Sequence, residues 1–176
     1  MKLAAILLCL SILAWVGCGE TGKAEEGGSR SATVAVVDYA VDGDTLRVRL
    51  PSGRLAYVRL VGIDTPEDVK PGAPVECGAE DAAASMRALA PEGASVVLHR
   101  DSVADAKDRY GRILAHAFIA GRQLELSQLR RGWAEVYRFE GQRFDGLARF
   151  EHAEGSARRA GRGVWSSCGG DFHSAR

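Results

Sequence analysis

The residues best suited to chemistry stand in two short acidic runs and at two arginines. Asp42-Gly43-Asp44-Thr45 falls at a turn signal between two β-like runs, and Asp64-Thr65-Pro66-Glu67 follows a third. A hard cation such as Ca2+ takes several oxygens from carboxylates, carbonyls and water. Two acidic turns at converging strand ends supply them. An EF-hand does not fit: with Asp38 as first ligand, Ala40 stands third and Arg49 stands twelfth, where that loop needs Glu. Taken singly, each run is also ordinary turn chemistry, because Asp-Gly and Thr-Pro favour turns. Their company changes the reading. Arg59 precedes Asp64 by five residues, and Arg112 follows Tyr110-Gly111. A cation and two guanidinium groups are what phosphodiester cleavage needs. The metal acts as Lewis acid, the arginines meet charge developing on the phosphoryl oxygens, and a carboxylate handles the water.

These groups have to be held by strands and helices. Residues 33–38 are short and β-branched, 45–50 alternate at period two, and 54–63 read as a third strand, so 33–63 forms a meander. Two prolines and two glycines make 67–78 an exposed loop. Helices are expected at 80–89, 123–131 and 144–160, and further strands at 94–99 and 112–120, with a charged loop at 101–111 between them. Five short strands with three helices give an α+β class. Five strands is also the count of an OB-type barrel.

The chain of 176 residues suits one domain with a real core, and its 46% hydrophobic and 26% charged content is that of a globular protein. The formal net charge is zero, which argues against a passive coat for nucleic acid. Of 23 basic residues only Lys2, Lys23, Lys70 and Lys107 are lysines. An arginine bias suits phosphate, although base composition of the coding DNA produces the same bias. Residues 1–17 read as a signal peptide, with Lys2 ahead of an apolar run too short for a comfortable membrane span. Gly17-Cys18 then resembles a lipobox, with plain signal cleavage as the other reading. The expected division is leader 1–17, lipidated Cys18 with a flexible tether to 32, a domain over 33–170, and a tail over 171–176. The chain is then exported, as an envelope lipoprotein or as a secreted or periplasmic protein. With Cys9 in the leader and Cys18 as lipid carrier, Cys77 and Cys168 are left to the domain. In oxidising surroundings such a pair reads as a disulfide worth on the order of 4 kcal/mol; the other reading is two free thiols.

Three segments carry a specific resemblance: Val41-Asp42-Gly43-Asp44-Thr45, then Arg59-Leu60-Val61-Gly62-Ile63-Asp64-Thr65-Pro66-Glu67, then Asp108-Arg109-Tyr110-Gly111-Arg112. Together they resemble the signature blocks of the staphylococcal (micrococcal) nuclease family, in the family's order. Arg131-Gly132-Trp133-Ala134 and Gly163-Val164-Trp165-Ser166 extend the likeness, so that it covers about 33–167. The resemblance implies an OB-fold five-stranded barrel with three α-helices. It implies Asp44 and Asp64 as carboxylate ligands of Ca2+, with Thr65 adding its backbone carbonyl. It implies Glu67 beside the attacking water, Arg59 and Arg112 on the phosphate, and Arg109 with Tyr110 on a terminal phosphate. The substrates it implies are DNA and RNA, cut to leave a 3′-phosphate. Apart from the resemblance, nothing in the sequence suggests other than a monomer, and the lipobox reading gives it contact with the membrane through a lipid anchor only. Two departures stand out. The reference enzyme's Tyr-x-Tyr pair is matched by Tyr137-Arg138-Phe139 in a shifted register, and the reference enzyme is strongly basic where this chain is neutral. The alternative function is a non-catalytic OB-type nucleic-acid-binding lipoprotein, since a fold does not fix a function.

Overall fold

The computed structural model describes residues 32–67 and 74–175. The expected leader, Cys18, Lys70 and all of the tether except Ala32 lie outside the described residues. β1 (Ala32–Ala40), β2 (Thr45–Arg49) and β3 (Leu55–Leu60) form the expected meander, followed by a two-residue β4 (Ile63–Asp64). Then come α1 (Ala79–Leu89), β5 (Ser95–His99), β6 (Ile113–Ile119), β7 (Arg122–Gln123) and α2 (Leu124–Arg131). The chain ends with β8 (Glu135–Val136), α3 (Leu147–Arg159) and the single-turn α4 (Val164–Ser167).

The main strands run in the order β3-β2-β1-β5-β6, and β6 returns to pair with β3, so the sheet closes into a five-stranded barrel. All pairings are antiparallel except that last one, which is parallel and sets Arg59 level with Leu114. Period-two alternation sends Leu46, Val48, Val58, Leu60, Val96, Leu98 and Ala117 inward, where all are buried. The same alternation leaves Arg47, Tyr57 and Arg59 on the outer face. α2 packs against α1, α3 and β6, and Met86, Leu129 and Phe150 from the three helices complete the core.

Two expected boundaries are corrected. Residues 54–63 do not form one strand. Gly62 takes a left-handed φ of +83°, and a Cβ there would meet the Phe144 ring at 2.5 Å. The chain therefore turns at Gly62 and re-enters as β4, which pairs with β8. The last long helix begins at Leu147 rather than 144 because the preceding residues are otherwise engaged. Phe144 is buried in the core, and the Asp145 amide donates to Asp101 Oδ2 at 2.6 Å while its carboxylate accepts from the Ser102 amide and hydroxyl.

β6 also carries His116, which is 5% exposed. Its Nε2 lies 3.0 Å from Asp101 and its Nδ1 3.0 Å from Glu125. Burial works to lower the pKa of the ring, but the hydrogen bonds and charges of Glu125 and Asp101 outweigh it and raise the pKa above the ordinary histidine value. Burial likewise works to raise Asp101, and hydrogen bonds from Ala104, Asp145, Val103 and His116 overcome it and hold its carboxyl low. The raised histidine contributes stability that is complete below the unfolded value of about 6.5 and lost as pH rises through the folded value. The urea midpoint of the metal-free protein should therefore fall as pH rises past neutrality, and His116→Gln should flatten that slope. An equal slope in the variant contradicts the assignment.

Candidate active site

The two acidic turns meet at one end of the barrel. Asp44 is 2% exposed and Thr65 is 1% exposed. Asp44 sits just before β2, where its amide donates to Asp42 Oδ1 at 3.0 Å and its carbonyl accepts from Leu60 at 2.9 Å. Its carboxylate accepts from the Thr45 hydroxyl at 3.0 Å and from the Thr65 amide and hydroxyl at 3.2 and 3.3 Å. Gly43 makes that meeting sterically possible. A Cβ on it would stand 2.6 Å from Thr65 Oγ1, and its carbonyl accepts from the fully buried Gln128 amide at 2.9 Å. Turn chemistry is thus only part of the reason for a glycine here; close approach of two acidic turns is the rest. Gly43→Ala should cost about 1–3 kcal/mol, the range for overpacking a tight contact, and should spread Asp44 from Asp64. A urea melt superimposed on that of the parent chain would refute it.

Arg59 projects from the outer face of β3 between the two turns. Its Nη1 contacts Asp44 Oδ2 at 2.6 Å, its Nη2 contacts Asp64 Oδ1 at 2.6 Å, and Nη1 also donates to the Ile63 carbonyl at 2.9 Å. Five residues of spacing put Arg59 and Asp64 on either side of the Gly62 turn, so the pair closes a loop of β3 and β4. The charge around this guanidinium is one-sided, since Asp44, Asp64, Asp42 and Glu67 all act on it. Burial, and then the neighbouring Asp44 charge, push the Asp42 carboxyl up to about 7. Burial raises Asp44, Arg59 works against this, and the Asp64 and Glu67 charges add to it. Glu67 is raised by burial first and then by Asp42. Two of these carboxylates contact the guanidinium directly, and among the described residues no three His, Cys, Asp or Glu side chains converge as a ready metal cluster. The donors are all hard oxygens and suit Ca2+ better than a thiolate-seeking metal.

Arg109, Tyr110 and Arg112 form a second cluster at the entry to β6. Asp108 organises it. One carboxylate oxygen accepts from the Tyr110 and Arg112 amides, both at 2.9 Å, and the other accepts from Arg112 Nε at 2.6 Å. The guanidinium groups of Arg109 and Arg112 lie 4.8 and 5.5 Å from the Tyr110 ring centre. Among the described residues Arg112 pairs with Asp108 rather than with Asp44 or Asp64. The parallel pairing of β3 with β6 sets Arg59 level with Leu114, two residues beyond Arg112. Tyr137 and Phe139 are 44% and 62% exposed and lie past β8.

Glu76 and His173 enter the site without any signal in the sequence. Glu76 Oε2 accepts from the Glu67 amide at 2.7 Å, and the Glu76 amide donates to the Glu67 carbonyl at 3.0 Å. His173, from the C-terminal tail, lies 3.3 Å from Glu76, 3.3 Å from Glu135 and 3.7 Å from Asp64. Cys77 and Cys168 are bonded, across a sequence separation of 91 residues, and this bond anchors the tail next to Glu76.

A family profile described as staphylococcal nuclease homologue matches residues 57–167. The SPbeta prophage-derived endonuclease YokF of Bacillus subtilis (strain 168) is 33% identical over 133 residues, covering 76% of this chain and 44% of that protein. Endonuclease YncB of the same organism is 32% identical over 133 residues, covering 76% of this chain and 62% of that protein. The thermonuclease of Staphylococcus hyicus is 30% identical over 164 residues, covering 93% of each chain. The chain thus spans less than two thirds of the two Bacillus proteins and nearly all of the third. With the closed barrel, the profile match and a full-length relative in agreement, this chain belongs to the staphylococcal nuclease family.

Proposed function

We propose that the chain is a Ca2+-dependent nuclease that hydrolyses phosphodiester bonds of DNA and RNA. The observation that supports it most is Arg59, held at 2.6 Å from both Asp44 and Asp64 inside a surplus of carboxylate. Asp44, Asp64 and the Thr65 carbonyl would hold the cation, which supplies Lewis acidity toward the phosphoryl oxygens when bound. Thr65 and Thr45 fix the Asp44 carboxylate through the hydrogen bonds already described. Arg59 and Arg112 would turn the guanidinium N–H groups not held by Asp44, Asp64 and Asp108 toward the non-bridging oxygens, where negative charge grows in the transition state. Glu67, whose carboxyl pKa is raised by burial, would position the attacking water or accept its proton. Water attacks phosphorus and gives up a proton, the bond to the 5′-oxygen breaks, that oxygen takes a proton from solvent water and leaves as a hydroxyl, and the phosphate stays on the 3′ side. Arg109 and Tyr110 would hold a terminal phosphate.

The test is digestion of single-stranded DNA and RNA by the purified chain with Ca2+, with Mg2+ and with chelator. Cleavage stimulated by Ca2+, abolished by chelator and leaving 3′-phosphate ends is expected. Absence of digestion under all three conditions removes the reading in favour of a binding module. We propose also that the chain is exported and works as a monomer held to a membrane by a lipid on Cys18. In that case Cys18→Ser moves it from the membrane fraction to the soluble one.

A further inference from the structure

Tyr39, Arg47 and Tyr57 stand side by side on the outer face of the barrel. The strand register sets Tyr39 against Arg47 and Arg47 against Tyr57, so the three form one row across β1, β2 and β3. The tyrosines are 41% and 46% exposed. Arg47 lies 5.0 Å from the Tyr39 ring centre, and its Nη1 donates to the Tyr39 hydroxyl at 3.4 Å. Asp38, at the bulge of β1, contacts Arg47 at 2.7 Å and Arg49 at 3.8 Å. It steadies Arg47 and leaves the local balance positive, two arginines against one carboxylate. The barrel core is built by the inward-facing neighbours of these residues, so core packing does not account for two partly exposed rings, one of them with Arg47 over a face.

The row runs directly into the candidate active site. Tyr57 precedes Arg59 by two residues, so both project from the same face of β3. Ile113 pairs with Val58, and one residue back on each strand stand Arg112 and Tyr57. The row Tyr39, Arg47, Tyr57 therefore continues toward Arg112, Tyr110 and Arg109, with Tyr110 itself 69% exposed. Aromatic faces alternate with guanidinium groups along the whole line. A single-stranded nucleic acid offers the matching pattern, phosphates alternating with unpaired bases whose faces stack on any aromatic ring. A duplex keeps those faces paired and stacked within itself. Crossing three strands, the row is about 10 Å long, room for only one or two bases.

We propose that Tyr39, Arg47 and Tyr57 form a stacking subsite for the continuation of a single-stranded DNA or RNA chain whose scissile phosphate lies between Arg59 and Arg112. The placing of the scissile phosphate rests on the nuclease reading; the binding of single strands does not. The subsite makes the enzyme prefer extended single strands over duplexes and over substrates too short to reach Tyr57.

Two measurements on the full chain separate the readings. In excess chelator, fluorescence anisotropy of a labelled single strand of about ten nucleotides should show the Tyr39→Ala/Tyr57→Ala double variant binding roughly tenfold more weakly than the parent. Tyr57→Trp, which keeps a stacking face, should bind as the parent does. With Ca2+, the ratio of kcat/KM on that strand to kcat/KM on a mononucleotide aryl phosphodiester should fall by a similar factor in the double variant, through KM. No measurable binding of the parent chain, equal affinity of parent and double variant, or an unchanged ratio overturns the subsite. Should the parent bind single strands through these tyrosines but cleave nothing, the nuclease reading falls and the subsite stands.

Discussion

Arg59→Ala is expected to lower kcat by about 10²–10³-fold, the loss typical of removing one preorganised donor to a transition-state oxyanion. The same substitution should destabilise the chelated protein by about 3–5 kcal/mol, because it removes one partner from a buried ion pair and leaves the other charged. Asp44 is the group left exposed to that cost, being 2% accessible with its carboxylate 2.6 Å from the lost guanidinium. The two effects separate by adding Ca2+. A bound cation restores the missing positive charge between Asp44 and Asp64, so Ca2+ should raise the melting temperature of the variant by more than it raises that of the parent chain. Catalysis should not recover with it, since the cation does not replace the fork on the phosphoryl oxygens. Full activity in the variant would remove Arg59 from the mechanism. An equal Ca2+ effect on parent and variant would place the metal away from Arg59.

What the sequence made legible follows from distance along the chain. Asp64, Thr65 and Arg59 lie within seven consecutive residues, and local spacing suffices to put them on one strand and its turn. Asp44 needs the hairpin between β1 and β2, which alternation and Asp42-Gly43 also signal. Beyond that the reading runs out wherever a contact is remote. Gly43 reads as a turn glycine, and its second role depends on Thr65 standing 2.6 Å from a Cβ that is not there. The strand expected over 54–63 breaks because Phe144, far along the chain, fills the space over Gly62. Asp108 lies inside a recognisable block, yet its grip on Arg112 depends on rotamers that sequence does not state. The row of Tyr39, Arg47 and Tyr57 is invisible without the register of three strands. Glu76 and His173 are 97 residues apart, and only the chain's return to Cys77 makes them neighbours.

That return gives the second large expected effect. Replacing both Cys77 and Cys168 by Ser should lower stability by about 4.5 kcal/mol in the chain-entropy account, for the 91-residue separation that the bond closes. The loss should also reach the active site. The bond holds a tail whose Ser174 carbonyl accepts from the Cys77 amide at 2.9 Å, whose Ala175 bridges to Glu76, and whose His173 lies against Glu76 and Asp64. Glu76 in turn clamps the Glu67 backbone from both sides. Freeing the tail loosens that clamp, and with Glu67 in its proposed catalytic role a small misplacement would cost up to roughly 10²-fold. kcat should therefore fall while KM for a long single strand stays, because the binding groups proposed for the strand lie on β1, β2 and β3 and on the Asp108–Arg112 turn. His173→Ala separates the two consequences. His173 is half exposed, so its loss should leave the urea midpoint nearly intact and still lower kcat. A double serine variant with parental kcat, measured where it remains folded, would show that the tail stabilises the barrel without serving Glu67.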